Sequence, residues 1–330
     1  MRYLVVSSYP PMKCGIGKYA YQNVKGLRKS GNIVNVLSIE EGEGDFRENL
    51  KGWFNILKLF KYSLFYEKIL IQYQEYFYYS DRGQLNRMAT NLSFYLLFIL
   101  LKKKIILVAH EISYPRNRVN KIFERIKWFL CPKIVFHTNV EKENFEISFF
   151  KLSPDRFELL NPAEHYYKFR DITKKQAREE LGIPEGCIVF LCIGFIQPHK
   201  GFDRAVKAFR GINNESMRLY IVGSLRLDNY VDYLNDLKKL VFDTPNTFLM
   251  EQYVTDELFD TWLIASDCVV VPYREIWSSG VAARAKLFDK PIIASNVGGL
   301  KDQIGAKDMI FNDDEELRII VKEFSDMLVI

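Results

Sequence analysis

The chain has 330 residues, 48% hydrophobic and 26% charged, a globular composition long enough for two domains of ordinary size. Its formal net charge of +5 is uneven: residues 1–165 carry 25 Lys and Arg against 16 Asp and Glu. No helix-turn-helix, zinc-finger or RNA-binding signature accompanies that excess, so nucleic acid is not an expected partner. The five cysteines include no C-x-x-C pair, which argues against zinc or a disulfide framework and for reduced thiols in a cytoplasmic protein.

Taken in chain order, MRYLVVSS has too short an apolar run for a signal-peptide core and is expected to be a first strand. Short β-branched and aromatic runs follow at 32–38, 68–73, 104–110 and 133–138, separated by helical patterns. The same alternation returns at 187–194, 219–224, 247–252, 268–273 and 291–295. Such βαβα order predicts an α/β fold with two Rossmann-like parallel sheets. The boundary is expected where Asn161-Pro162 breaks the pattern and ITKKQAREELGIP forms a short helix, giving domains 1–167 and 168–330. The apolar run 92–101 spans about 15 Å as a helix, half a bilayer core, so no membrane crossing is expected.

Chemistry concentrates in two stretches of the second half. GFIQPHKG at 194–201 ends a strand and opens the helix FDRAVKAF, so Lys200 and Gly201 stand at a helix mouth, where amides, dipole and ammonium can hold phosphate. About eighty residues later, YREIWSSGVAARAKLFDKPIIAS opens a second helix with small residues. Here the amides of Ser279, Gly280 and Val281 are the expected donors. In the first half, His110 ends the strand KIILVAH, at the sheet edge where open α/β folds bind ligands.

The order KG, E..SSGV, DKPIIAS..GG resembles the donor-binding half of GT-B fold retaining glycosyltransferases, family 4-like, the glycosyl transferases group 1. SSYPPMKCGIGKY at 7–19 looks like the family's glycine-rich acceptor-side loop, and VAHEI at 108–112 like its histidine loop. The resemblance implies two Rossmann-like domains facing across a cleft, with a nucleotide sugar as substrate and no cofactor. It also implies a glycan or lipid-linked acceptor, polysaccharide biosynthesis and retention of configuration. By this resemblance His110, Lys200 and Glu275 are catalytic, Gly15, Gly17, Gln197, Gly201, Ser279, Gly280, Val281 and Arg284 bind the donor, and the loop 15–18 closes on it.

Several positions depart from the family. The upstream arginine is missing, since Phe195, Ile196 and Gln197 follow Gly194, and Gln197 offers only a neutral hydrogen bond. The second glutamate of the family's pair is replaced by Arg284, which either restores positive charge near the diphosphate or faces solvent. Glu275 is read either as a sugar or ribose contact or as a partner of Arg274. The last helical pattern, 314–330, stands where the family crosses back onto the first domain, and it is expected to make that crossing, to leave the hinge less constrained, or to mark a shortened chain.

No D-x-D pair or histidine spacing suggests a metal site, so transfer without metal is expected. GIGKYA also fits the dinucleotide fingerprint G-x-G-x-x-A with Glu40 twenty residues on, which makes an NAD(P)-dependent enzyme the alternative. A non-catalytic membrane-surface protein is the third reading. The aromatic, lysine-bearing stretches 53–66 and 94–104 and the basic first half fit peripheral contact with an anionic inner membrane face.

Overall fold

In the computed structural model most of the β-branched runs form strands buried on both faces, as parallel sheets covered by helices require. The structure describes all residues except 13, 40–41, 82, 111, 113–116, 161–165, 213, 227 and 329–330, and the side chains of 228 and 325–328. The chain divides into two compact units, Met1–Tyr166 and Tyr167–Ile330. Asn161, Pro162 and His165, at the expected break, and Glu40 and Glu111 lie outside the described residues.

In the first unit the strands are β1 (Arg2–Ser7), β2 (Ile33–Ile39), β3 (Phe46–Glu48), β4 (Lys68–Tyr73), β5 (Ile105–Ala109), β6 (Ile134–Phe136) and β7 (Phe157–Leu159). They form one sheet in the order β3-β2-β1-β4-β5-β6-β7, and every pairing is parallel. Its helices are α1 (Gly15–Lys29), α2 (Phe60–Ser63), α3 (Glu75–Tyr78), α4 (Gln84–Leu100), α5 (Arg118–Leu130) and α6 (Asn139–Ser148). Asn117 caps α5, and a Thr138–Glu141 capping box starts α6.

The second unit repeats the plan with β8 (Ile188–Ile193), β9 (Met217–Gly223), β10 (Thr247–Glu251), β11 (Cys268–Val271), β12 (Ile292–Ser295) and β13 (Met309–Phe311). These strands run parallel in the order β10-β9-β8-β11-β12-β13. Its helices are α7 (Lys174–Leu181), α8 (Phe202–Phe209), α9 (Val231–Phe242), α10 (Asp256–Ala265), α11 (Gly280–Leu287) and α12 (Asp314–Leu328). All six residues of β8 are buried. At about 1.5–3 kcal/mol for each large apolar side chain, that central strand anchors the core.

Leu317, Val321 and Phe324 of α12 belong to this same core, and Phe324 meets Phe190 of β8 edge-on at 5.6 Å. The described part of the last helix therefore packs on its own unit. All five cysteines are buried and free. Among the described residues no helix is long and apolar enough to cross a membrane.

Candidate active site

In each sheet the strand order reverses beside the first strand of the unit, between β1 and β4 and between β8 and β11. Open α/β sheets bind ligands at the carboxyl ends of strands flanking such a reversal. In the second unit the two loops at that edge are 194–201, after β8, and 272–279, after β11. They are the two chemistry-bearing stretches of the sequence.

Arg274 locks these loops together. Its main-chain N–H donates to the His199 carbonyl (2.8 Å), its Nη1 to the Pro198 carbonyl (2.8 Å), and its guanidinium makes two bonds to Asp203 (2.9 and 2.7 Å). Burial alone would raise the Asp203 carboxyl, but Arg274, with Tyr233 and Lys207, outweighs it and holds the pKa at about 2. Glycine is required at 201: φ is +60°, and a Cβ there would stand 2.1 Å from the Pro272 oxygen. This tight approach leaves Lys200 in a 3-10 turn, 198–200, with its ammonium 3.9 Å from the Tyr273 ring centroid. The ammonium forms no ion pair with the described residues.

At the other loop Ser279 caps α11 by accepting the Ala282 N–H (3.2 Å), while its own N–H donates to Gln303 Oε1 (2.7 Å). The Ser279 amide expected at the phosphate is thus already engaged. Gly280 and Val281 supply the next amides at the positive end of α11. At the start of α8 the Asp203 N–H is turned to Tyr233 Oη (3.4 Å), so that helix mouth offers less than its sequence suggested.

A second cation comes from a loop that the sequence did not single out. Ile196 pairs in parallel with Leu225, and the Ile196 N–H donates to the Ser224 carbonyl (2.9 Å). That register sets Arg226 beside Gln197. His199 is pulled below its ordinary pKa by burial, then by the charges of Lys200 and Arg226, with Glu275 opposing. Arg226 thus adds positive charge near the His199–Lys200 turn. Its position two residues past LYIVGS was the only clue in the sequence.

Arg284 neither faces the diphosphate nor the solvent. It is 4% exposed, bonds Asp256 Oδ1 (2.7 Å) and the Asp256 carbonyl (3.0 Å), and forms a short ion pair with Asp260. Both expectations for it are corrected: a guanidinium amid apolar helices must be paired, and two aspartates of α10 pair it. Glu275 is exposed, and Arg274 pairs with Asp203 instead of with it.

In the first unit His110 follows β5 directly. Its N–H donates to the Tyr73 carbonyl (3.0 Å), and its Nε2 lies 2.7 Å from Gln72 Oε1. Burial, then the neighbouring His137, lower the His110 pKa well below its ordinary value, so the ring is neutral. Tyr19 meets His110 and His137 at ring-centroid distances of 4.9 and 5.1 Å, and its buried hydroxyl has no partner among the described residues. Gly15 and Gly17 open α1, so 15–18 is the first helical turn and not a loop. Gly17 is buried against Ser8, where an added Cβ would lie 3.3 Å away.

Residues 173–320 match the family model of glycosyl transferases group 1. The second unit is thus similar to the glycosyl transferases group 1 family. It is 25% identical over 213 residues to D-inositol 3-phosphate glycosyltransferase of Streptosporangium roseum, covering 62% of this chain and 48% of that one. The enzyme of the same name from Rhodococcus erythropolis is 30% identical over 154 residues, covering 44% and 34%. The chain thus spans about half or less of the length of these curated relatives.

Among solved structures, sucrose-phosphate synthase from Thermosynechococcus elongatus superposes with a TM-score of 0.71 at 15% identity, covering 99% of this chain and 90% of that one. Anabaena HepE in complex with UDP gives 0.70 at 13%, again covering 99% and 90%. At these identities the likeness is one of fold, the GT-B type of two parallel α/β units. Within the matched residues 173–320 lie Lys200, Gly201, Arg226, Glu275, Gly280 and Val281. The G-x-G-x-x-A stretch lies outside it, and residues 8–14 separate β1 from Gly15, too long for the tight turn of a dinucleotide fingerprint.

Proposed function

We propose that the protein transfers a glycosyl residue from a nucleoside diphosphate sugar to a glycan or lipid-linked acceptor, with retention of configuration and without a divalent ion. The observation that supports this reading is the placing of the Lys200 loop and the start of α11 at the strand-order reversal of the second unit, with Arg226 near enough to act on His199. HepE, which shares the fold, was solved with UDP, and the curated relatives are named as glycosyltransferases.

In this reaction the bond from the anomeric carbon to the diphosphate breaks, and a bond to the acceptor oxygen forms on the same face. The acceptor proton passes to the leaving diphosphate oxygen. Charge develops on the diphosphate, where fixed cations and amides stabilise the transition state more than the ground state. Gln197 and Gly201 shape this pocket, and Glu275 contacts sugar or ribose hydroxyls. His110, by the family resemblance, contacts a sugar hydroxyl as a neutral imidazole. We place the enzyme in polysaccharide biosynthesis, in the cytoplasm and peripheral to the inner membrane face.

The test is incubation with UDP-, GDP- and ADP-sugars, following diphosphate release by phosphorus NMR and product configuration by proton NMR. Failure to release nucleoside diphosphate from any donor would sink the reading. An inverted product would remove retention, and loss of activity in chelator would remove metal independence.

A further inference from the structure

Helix α4 turns an apolar row toward solvent. Leu85, Leu92, Leu96 and Ile99 are all between 41 and 73% exposed, while Phe94, Leu97 and Phe98 fill the core on its other side. A surface helix ordinarily carries charge on its outer face, and one that is apolar all round is ordinarily buried. Helix α5 lies alongside: Gln84 Nε2 donates to Asn120 Oδ1 (2.6 Å), and Tyr95 Oη to the Phe123 carbonyl (2.7 Å). It adds a second row at helical spacing, Val119, Ile122, Ile126 and Phe129, each 40–65% exposed. The two rows make one apolar face larger than scattered surface side chains would give.

Cations border this face. Arg118, Lys121 and Arg125 recur three and four residues apart on α5, are exposed, and form no ion pair among the described residues. Lys102 and Lys103, just past the end of α4, are exposed as well. Apolar rows flanked by unneutralised cations suit the boundary between acyl chains and anionic headgroups. A second copy fits less well, because a two-fold pairing would bring the cationic row toward its own image.

We infer that the α4–α5 face docks the protein on an anionic lipid bilayer, both helices lying in the interface. This deepens the reading of a lipid-linked acceptor and rests on it only for its purpose, since docking is measured without nucleotide. The stretch 94–104 marked part of the face in the sequence, but α5 did not stand out there.

The test is cosedimentation with phosphatidylglycerol–phosphatidylcholine vesicles at low salt, compared with phosphatidylcholine alone. Wild type should partition at least tenfold more onto the anionic vesicles. Ile122→Glu with Phe129→Glu, and separately Arg118→Gln with Lys121→Gln and Arg125→Gln, should each lower that partition at least tenfold. Unchanged melting temperatures would show that these exposed substitutions leave the fold intact. The inference is overturned by absence of wild-type binding, by equal binding to both vesicle types, by unchanged binding of the variants, or by a solution dimer abolished by Ile122→Glu with Phe129→Glu. Nucleotide calorimetry on the same variants separates failure of docking from failure of the transferase reading.

Discussion

Arg284 on α11 and Asp260 on α10 form a buried ion pair, and the other Asp260 oxygen accepts the N–H groups of Phe169 (2.6 Å) and Arg170 (3.3 Å). The pair therefore ties the start of the second unit to the two helices behind its ligand-binding edge. Arg284→Ala leaves a buried aspartate without its cation, a loss of about 3–5 kcal/mol. Chemical denaturation should show that loss, while the protein that remains folded keeps its nucleotide affinity within a few-fold. Intact stability with lost binding would return Arg284 to the phosphate.

Arg226 and Lys200 should weaken nucleoside diphosphate binding separately. A charge-assisted hydrogen bond contributes about 1.5–3 kcal/mol, so Arg226→Gln and Lys200→Ala should each lower affinity roughly 10- to 100-fold. Arg226→Lys should recover part of it. An unaffected Kd in Arg226→Gln would take that residue out of the site.

How far the sequence reached depends on what each element uses to declare itself. Ten strands were legible because β-branched and aromatic runs, most of them buried on both faces, have few other uses; even three-residue β6 stood inside the longer run KIVFHT. β3, β7 and β13 were not, since these short strands lie at sheet edges, partly exposed, and carry no sustained apolar run. Lys200 and the α11 amides could be placed because each follows a recognisable strand. Arg226 could not, because its position comes from the Ile196–Leu225 pairing, which local sequence does not express. Arg284 misled for a related reason: its partners lie 24 and 28 residues away, and burial cannot be read from a helix of small residues.

Gly201→Ala tests the close approach of the two loops. Its Cβ would meet the Pro272 oxygen at 2.1 Å on a backbone with φ of +60°, and strain of this kind costs about 1–3 kcal/mol. We expect a lower unfolding midpoint and, because Lys200 is displaced, weaker nucleotide binding. A variant as stable and as tight as wild type would contradict the geometry.

His110 predicts a pH dependence of stability. Its folded pKa is depressed by burial and then by His137, so below the ordinary value near 6.5 the unfolded chain binds a proton that the folded ring refuses. Stability should fall as pH drops through that region, with a limiting contribution of about 1.4 kcal/mol per pH unit, and should be level in this respect above it. His110→Gln should remove one proton's worth of the slope in denaturation series between mildly acidic and neutral pH. The same slope in both proteins would mean that the ring is protonated when folded.

Titration calorimetry of wild type and Lys200→Ala with UDP, GDP and ADP tests the central claim most directly, that the edge between β8 and β11 holds a nucleoside diphosphate. The account predicts one nucleotide bound at micromolar Kd and at least tenfold weaker in the variant. No binding of any nucleotide, or binding that Lys200→Ala leaves unchanged, would contradict it.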